Sequence, residues 1–425
     1  MMQTLRLTSR GVNVKLIQSL LIRIGYNPGP IDGIFGPKTR DAVKMFQKDS
    51  GIGVDGIVGP VTWGKFNRIL RGYENYTIVE GDTLYFIAQR YFTTVDKIIA
   101  ANPGIEPQRL QIGQVIVVPF GIDVVFTDID YTYSIMERNI QTLKTRYPFL
   151  KIGIMGRSVL GKNLYYIKIG EGETKIHYNA SHHALEWITT PLLMKFIENF
   201  SNSYAQGKKI RGYDLKEIWE KASIYIVPML NPDGVDLVIE GLKEDNPYYS
   251  KLLEWNRTGR PFGEVWQANI RGVDLNRNYP ACWQEAKAQE PMLGVIGPGP
   301  TRYGGPSALS EPESRALVDF SKERDFKLVI AYHSQGRVIY WTYKDVRPQR
   351  AFEIGEQFSD ATGYALADVP YEAAFAGYKD WFMQEYNRPG YTFEVGLGVN
   401  PLPIEQFNTI YRNNEEAMLL AGLIA

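Results

Sequence analysis

Apolar and polar positions along the first 120 residues predict short elements rather than one large core. Ala42, Val43 and Phe46 recur at helical spacing. Further along, Tyr76-Thr77-Ile78-Val79 alternates like a β-strand. Two helical stretches and a second strand follow it, over residues 84–91, 95–101 and 115–119. The pattern therefore predicts a small helical bundle followed by a strand–helix–helix–strand unit.

From Asp123 onward, apolar strands alternate with longer helices, which predicts an α/β domain. The strand-like runs cover residues 175–180, 223–230, 327–332 and 391–395. Each run ends at a cluster of polar residues. Because ligands gather beyond the carboxyl ends of strands in such sheets, we expect the chemistry at that edge.

A turn motif repeats near the start of the chain. Asp32-Gly33-Ile34-Phe35-Gly36-Pro37 recurs as Asp55-Gly56-Ile57-Val58-Gly59-Pro60. Asp-Gly favours turns, and the proline suits the first position of a helix. Each copy is therefore predicted to begin a helix.

Composition and charge exclude several classes of protein. Of 425 residues, 47 are Lys or Arg and 47 are Asp or Glu, so the formal net charge is zero. A chain without a basic stripe is not expected to bind nucleic acid. Cys282 is the single cysteine, which excludes an intrachain disulfide and a cysteine zinc site.

No segment has the character of a membrane span or a secretory leader. The run Ala417–Ala425 has nine residues, against the roughly 18 that a spanning helix needs. It is predicted to be a terminal helix. The start of the chain has no basic region followed by an apolar one, so we expect no signal peptide there.

The chain has four histidines, and two of them belong to a cluster with metal-ligand chemistry. His183 and Glu186 are three residues apart and can face the same way on a helical turn, as Zn²⁺ ligands do. His182 with Glu186 is an alternative pair, and spacing alone does not choose between them. His333 ends an apolar strand and is the candidate third ligand, whereas His177 lies inside a strand and is predicted to be structural.

Two further clusters offer groups for binding and catalysis. Asn276 and Arg277, in Gly272-Val273-Asp274-Leu275-Asn276-Arg277-Asn278, present an amide and a guanidinium fork that suit a carboxylate. Glu394 ends the last apolar strand. A carboxylate there is costly unless it is paired, or unless it is a base whose pKa burial has raised.

The two N-terminal segments resemble known wall-binding modules. The repeated turns, with Val61-Thr62-Trp63 after the second, resemble the peptidoglycan-binding domain type 1, a three-helix module. Gly81-Asp82-Thr83-Leu84 and Ile112-Gly113-Gln114 resemble a LysM domain, which implies binding to N-acetylglucosamine-containing glycans. We therefore expect a peptidoglycan-binding domain over residues 1–71 and a βααβ LysM domain over residues 75–120.

The remaining residues, 124–425, resemble the M14 zinc carboxypeptidase family. The motifs that carry the resemblance are His-x-x-Glu-Trp at 183–187, Asn-Pro-Asp-Gly at 231–234, Gly-Val-Asp-x-Asn-Arg-Asn at 272–278, strand-His-Ser at 333–334 and Thr-Phe-Glu at 392–394. The resemblance implies an α/β domain with a mixed sheet flanked by helices.

That resemblance also implies roles for individual residues. The ligands of one zinc ion would be His183, Glu186 and His333. Asp274 would orient a ligand imidazole through its other nitrogen. The substrate carboxylate would be received by Asn276 and Arg277, and the catalytic base would be Glu394.

Two further family positions have candidates in this chain. Relatives carry an arginine that stabilises the oxyanion shortly before the Gly-Val-Asp motif. When Trp266 is used to align the sequences, Gln267 stands at that position here. Arg271 and Arg257 lie nearby and could substitute for the arginine. Tyr371 occupies, by approximate spacing to Asp380-Trp381, the place of the mobile tyrosine that covers the site.

Lys379 corresponds, by resemblance, to the floor of the pocket for the released residue. An ammonium there would select a side chain ending in a carboxylate, such as meso-diaminopimelate of peptidoglycan stem peptides. We therefore predict hydrolysis of the γ-D-glutamyl–meso-diaminopimelate bond. Arg277 favours tripeptide stems with a free terminus, with endopeptidase action on longer stems as the close alternative.

Two other functions compete with this hypothesis. One is a general zinc carboxypeptidase, and the other is a wall-binding protein with an inactive peptidase domain. The modules predict a wall, spore or extracellular setting. The lack of a leader leaves a mother-cell or cytoplasmic setting open.

Overall fold

A computed structural model describes residues 3–425. This part of the chain divides into two compact units. One contains the described residues up to Asp130 together with Ser134–Leu150 and Glu198–Lys208. The other contains Tyr131–Tyr133, Lys151–Ile197 and Lys209–Ala425.

Helices and strands alternate along most of the described chain. The helices are α1 (Val12–Arg23), α2 (Pro37–Asp49), α3 (Pro60–Leu70), α4 (Leu84–Arg90), α5 (Val95–Ala101), α6 (Tyr133–Arg146), α7 (Thr189–Ala205), α8 (Leu215–Lys221), α9 (Pro232–Glu240), α10 (Tyr249–Trp255), α11 (Phe262–Val265), α12 (Trp283–Gln289), α13 (Pro312–Arg324), α14 (Ala351–Thr362), α15 (Tyr378–Tyr386) and α16 (Phe407–Ile424). The strands are β1 (Tyr73–Thr77), β2 (Val115–Pro119), β3 (Lys151–Arg157), β4 (Asn163–Ile169), β5 (Thr174–Ala180), β6 (Ala222–Val227), β7 (Leu328–His333), β8 (Val338–Tyr340), β9 (Ala365–Ala367) and β10 (Gly390–Glu394).

The repeated turns begin α2 and α3, as the sequence predicts, with a proline at the start of each helix. A buried glutamine holds each turn in the same way. Gln18 accepts from the amide of Gly33 at 2.9 Å, and Gln47 accepts from that of Gly56 at 2.8 Å. Both glycines have a φ of 73°, the left-handed region that glycine adopts without a steric penalty. The repeat is therefore a repeat of structure as well as of sequence.

The next segment forms the predicted strand–helix–helix–strand unit. Strands β1 and β2 pair antiparallel, and the apolar faces of α4 and α5 pack on them in one small core. Thr83 and Thr94 cap the two helices, since each hydroxyl accepts an amide hydrogen from the first turn. The first strand begins three residues earlier than its alternating pattern predicts.

The second unit is built on an eight-stranded mixed sheet. Its order is β3-β4-β6-β5-β7-β10-β8-β9. Strands β6, β5, β7 and β10 run parallel to one another at the centre, and the other pairings are antiparallel except for β8 with β9. The four central strands are the four that the sequence predicts. Their carboxyl ends meet at one edge.

The terminal apolar run forms the last part of α16, as predicted. Among the helices of residues 3–425, none combines the length and the apolar character needed to cross a membrane.

Candidate active site

Two histidines and a glutamate meet at the carboxyl ends of β5 and β7. His183 precedes a short 3₁₀ helix, Ala184–Glu186, and His333 is the last residue of β7. The two carboxylate oxygens of Glu186 lie 2.8 Å from Nδ1 of His183 and 2.8 Å from Nδ1 of His333. Burial opposes ionisation of Glu186, but the two imidazoles outweigh it and lower its pKa to about 2. The carboxylate of Glu186 therefore contacts both imidazole rings.

Asp274 fixes the orientation of one imidazole from the other side. Its Oδ1 lies 3.1 Å from Nε2 of His183, and its Oδ2 accepts from the amide of Arg302 at 2.9 Å. Burial opposes the charge, yet His183 and Arg277 hold the pKa of Asp274 well below its ordinary value. Asp274 therefore stays ionised and leaves Nδ1 of His183 facing Glu186.

The remaining histidines are not part of this cluster, although the ring of His182 stacks on that of His333 at 5.4 Å. His177 is buried within β5, stacks on Phe326 and shares a hydrogen bond of 3.0 Å with the carbonyl of Tyr225. Burial lowers the pKa of His177 to about 3, so the ring is neutral. His182 is buried, and its Nε2 lies 3.1 Å from the hydroxyl of Tyr279.

Glu394, the last residue of β10, is paired in register with His333. Burial, reinforced by the negative charge of Glu186, raises the pKa of Glu394 well above its ordinary value. Among residues 3–425 it is the carboxylate that lines both of the cavities at this edge of the sheet.

The two cavities extend from Glu394 in different directions. The larger has a volume of about 880 Å³ and is also lined by Glu186, Gln267 and Arg302. The smaller has a volume of about 70 Å³ and is lined by Asn276, Lys379 and Asp380, among others. Glu394 thus stands between a broad cleft and a narrow polar pocket.

Lys379 is a buried residue of α15, only 4% exposed. Its ammonium donates to the carbonyl of Thr342 at 2.5 Å and pairs with Oδ1 of Asp380 at 2.6 Å. The ammonium of Lys379 is therefore buried and paired with a carboxylate. Such a pair presents both a positive and a negative group.

Asn276 and Arg277 occupy a short 3₁₀ helix that Asp274 caps, Leu275–Arg277. The side-chain oxygen of Asn276 accepts from the amide of Tyr378 at 3.1 Å, which ties this helix to the start of α15. Asn276 also lines the narrow pocket.

Of the three oxyanion candidates, Gln267 and Arg257 line the larger cavity, whereas Arg271 does not. Gln267 lines the larger cavity, and its side-chain oxygen accepts from the hydroxyl of Thr301 at 2.6 Å. Because its side-chain oxygen accepts this bond, the side-chain nitrogen of Gln267 is the atom that can donate to another group. Arg271 instead donates to the hydroxyl of Tyr248 at 3.1 Å and lines a separate cavity of about 340 Å³.

Tyr371 is 72% exposed, with its ring edge-on to Phe375 at 5.2 Å. A role in covering the site stays a prediction.

Sequence reasoning missed several residues of the cleft. Ser334 and Asn400 line it and are joined by a hydrogen bond of 2.7 Å. Arg302 and Thr301 also line it. Ser334 belongs to the strand-His-Ser motif and Asn400 lies shortly after Glu394, and both were usable signals. Thr301 and Arg302 belong to no motif and reach the cleft only through the fold.

The donor set fits a zinc ion. His183, Glu186 and His333 each offer one ligand atom, and these three atoms lie within 4.8 Å of one another. Two imidazoles and one carboxylate are a common ligand set of catalytic zinc. Nε2 of His183 lies beside the carboxylate of Asp274, and histidine ligands of zinc usually have such a partner.

Family comparisons assign all three segments of the chain. The zinc carboxypeptidase family, Peptidase M14, matches residues 136–417. A peptidoglycan binding domain matches residues 10–66, and a LysM domain matches residues 76–119.

Individual relatives agree with this assignment. Gamma-D-glutamyl-L-diamino acid endopeptidase 1 of Lysinibacillus sphaericus is 43% identical over 399 residues, covering 81% of this chain and 98% of that protein. The uncharacterized protein YqgT of Bacillus subtilis is 37% identical over 284 residues, covering 66% of this chain and 74% of that protein. The structure of bovine thrombin-activatable fibrinolysis inhibitor has the same fold, with a TM-score of 0.51, 20% identity and coverage of 68% of this chain and 94% of that one. The chain belongs to the M14 zinc carboxypeptidase family, and it is a zinc metallopeptidase with wall-binding modules.

Proposed function

We propose that this enzyme hydrolyses the γ-D-glutamyl–meso-diaminopimelate bond of peptidoglycan stem peptides. The observation that carries the proposal is the buried Lys379–Asp380 pair in the pocket beside Glu394. The name of the Lysinibacillus sphaericus relative, which states a γ-D-glutamyl-L-diamino acid bond, supports it. The two wall-binding modules on the same chain support it as well.

We assign the metal ligands to His183, Glu186 and His333 on the geometry of their donor atoms. A zinc ion held by these residues would supply Lewis-acid chemistry, polarising the scissile carbonyl and making a bound water more acidic. Glu394 faces the same cleft and takes the proton of the attacking water, then passes it to the leaving nitrogen. Its raised pKa suits both steps, because the group must accept a proton and release it again. Gln267 lines this cleft and would donate a neutral hydrogen bond to the oxyanion.

The narrow pocket matches the far end of meso-diaminopimelate. That end carries a carboxylate and an ammonium on one carbon. Lys379 would receive the carboxylate and Asp380 the ammonium, so that each group of the ligand meets a buried charge of opposite sign. A lysine side chain offers the ammonium alone. The pocket is therefore expected to favour diaminopimelate over lysine.

Asn276 and Arg277 would hold the main-chain carboxylate of the released residue, since Asn276 lines the narrow pocket and Arg277 follows it directly. This grip favours tripeptide stems. The relative's name describes an endopeptidase, so longer stems are the alternative.

We also propose the boundaries of the modules and their setting. Residues 1–71 and 75–120 would bind peptidoglycan and its N-acetylglucosamine-containing glycan, and residues 124–425 would form the peptidase. Together they would act at the cell wall, including that of a spore.

Mass spectrometry of reaction products tests the proposed bond. Zinc-loaded protein is incubated with L-Ala-γ-D-Glu-meso-diaminopimelate, with the tetrapeptide stem and with an ordinary peptide that has a free C-terminus. We expect release of diaminopimelate from the tripeptide, faster cleavage of the tripeptide than of the tetrapeptide, and loss of about 10²–10⁴-fold in rate for Glu394→Gln.

Other products would point elsewhere. Cleavage of the ordinary peptide alone would indicate a general carboxypeptidase. Faster cleavage of the tetrapeptide would indicate an endopeptidase. A protein that binds no zinc and cleaves none of the three would be an inactive wall-binding protein.

A further inference from the structure

The larger cavity carries a charge that the proposed mechanism does not use. Arg302 lines this cavity together with Glu186, Gln267 and Glu394. The residue is exposed, and within residues 3–425 its guanidinium has no hydrogen-bond, ion-pair or ring partner. A charged group that faces a substrate cleft without a partner is available to a ligand.

The other arginines of the same cavity are already engaged. Arg257 donates to the carbonyl of Pro298 at 3.1 Å, and Arg260 pairs with Glu264 at 3.1 Å. Arg302 therefore differs from its neighbours in having its charge available.

The backbone of Arg302 is tied to the metal centre. Its amide donates to Oδ2 of Asp274, whose Oδ1 lies 3.1 Å from His183. Its φ of 64° places it in the left-handed region, which is uncommon for arginine. Residues held in such conformations cluster at functional sites. The base of this side chain is thus fixed relative to the reacting atoms.

The two cavities indicate which part of the substrate lies near Arg302. Glu394 lines both, and Lys379 in the narrow pocket is assigned to the released residue. The glutamyl residue must then extend into the larger cavity. In a γ-linkage the scissile carbonyl is the side-chain carboxyl carbon of that residue. Its free α-carboxylate lies four carbon–carbon bonds away, roughly 5 Å in an extended conformation.

Resting on the proposed function, we infer that Arg302 binds the α-carboxylate of the γ-glutamyl residue. Guanidinium and carboxylate form paired, charge-assisted hydrogen bonds. An ordinary α-linked peptide has no free carboxylate at this place, so the contact selects the γ-linkage. It also selects stems with a free carboxylate over stems in which that group is an amide.

The test compares two stem peptides that differ in this one group. One is L-Ala-γ-D-Glu-meso-diaminopimelate, and the other carries an amide in place of the glutamyl α-carboxylate. For each stem, kcat/KM is measured with wild type, Arg302→Gln and Arg260→Gln, the last being a matched arginine of the same cavity that is already paired. Zinc content and the thermal unfolding midpoint establish that the variants fold.

We expect wild type to prefer the free carboxylate by about 10- to 100-fold, the range for one charged hydrogen-bonded contact. Arg302→Gln should lose about that factor on the carboxylate stem and less than about 2-fold on the amide stem. Arg260→Gln should keep the wild-type preference.

Equal losses on both stems would overturn the inference, because Arg302 would then act on a group that the stems share, such as the oxyanion. Loss on neither stem would overturn it too, as would a wild-type enzyme that cleaves both stems equally well. If wild type cleaves neither stem, the proposed function itself fails, and this inference fails with it.

Discussion

Glu186 and Glu394 are two glutamates of one site with opposite acid–base behaviour. Two imidazole rings lower the pKa of Glu186 to about 2, although burial opposes this. Burial raises the pKa of Glu394, and no arginine or lysine among the described residues forms an ion pair with it. Environments that separate the pKa values of neighbouring acids indicate different roles for them. Here one carboxylate suits a metal ligand and the other a proton carrier.

Lys379 provides a prediction at the scale of one residue. In Lys379→Ala we expect kcat/KM on the diaminopimelate stem to fall by about 10- to 100-fold, because the far carboxylate loses a buried charged partner. A stem with lysine in that position should lose much less, since it has no such carboxylate. Rates on the two stems, measured alongside the exposed-site control Lys322→Ala, check this. If Lys379→Ala acts on the diaminopimelate stem as wild type does, the pocket assignment is wrong.

At the scale of the element, α13 begins with a buried carboxyl group that affects stability. Burial raises the pKa of Glu313 to about 8, outweighing the backbone hydrogen bond from Val159 at 3.0 Å. The carboxylates of Asp233 and Glu311 add to the rise, and the amide of Asn269 lies 3.4 Å away. The folded protein therefore holds a proton on Glu313 that the unfolded chain releases at lower pH.

This linkage fixes the direction of a pH effect. Because the folded state binds the extra proton, its stabilising contribution is complete below the ordinary pKa of 4.5 and is lost progressively as the pH rises from there to about 8. The unfolding free energy should decline by at most about 1.4 kcal/mol per pH unit over that window. Thermal unfolding midpoints of wild type and Glu313→Gln from pH 5 to 9 check it. The variant should show a flatter profile, and identical profiles would contradict the assignment.

Element by element, prediction from the sequence depended on burial. Strands β5, β6, β7 and β10 are mostly buried, so their apolar runs predict them closely. Strand β3 was missed because none of its positions at the edge of the sheet is buried, so it carries no apolar run. Strands β8 and β9 have three residues each, which is too short for a periodic pattern to identify.

At the scale of the whole molecule, one chain joins a zinc peptidase to two wall-binding modules. Low-affinity binding to a polymer raises the local concentration of an attached enzyme near its substrate. Because a soluble stem peptide is not attached to the polymer, the modules should not increase the rate at which it is cleaved. They matter when the substrate is the intact wall.

Wall binding gives a prediction at this scale. Glu394→Gln, which keeps the modules and the metal ligands, should sediment with purified peptidoglycan, and soluble N-acetylglucosamine oligomers should reduce the sedimented fraction. The fraction bound is measured after centrifugation, with a protein of similar size that lacks such modules as control. A fraction no larger than that of the control protein would refute binding by these modules.

The sequence by itself determined the local features of this protein. Turn motifs fixed the starts of α2 and α3, apolar runs fixed the central strands, and motif order along the chain indicated the family. Each of these depends on residues close together in sequence, where helix periodicity, strand alternation and turn chemistry operate.

Only the tertiary structure decided how distant residues combine. It shows that Nδ1 of both His183 and His333 faces Glu186, although 147 residues separate His333 from that glutamate. It pairs Lys379 with Asp380 and brings Arg302 to the cleft, and no pattern along the chain indicated either. Whether a charged side chain pairs with another, binds a ligand or stays unpaired depends on its distance to other groups and on its exposure to solvent. Packing of the folded chain sets both.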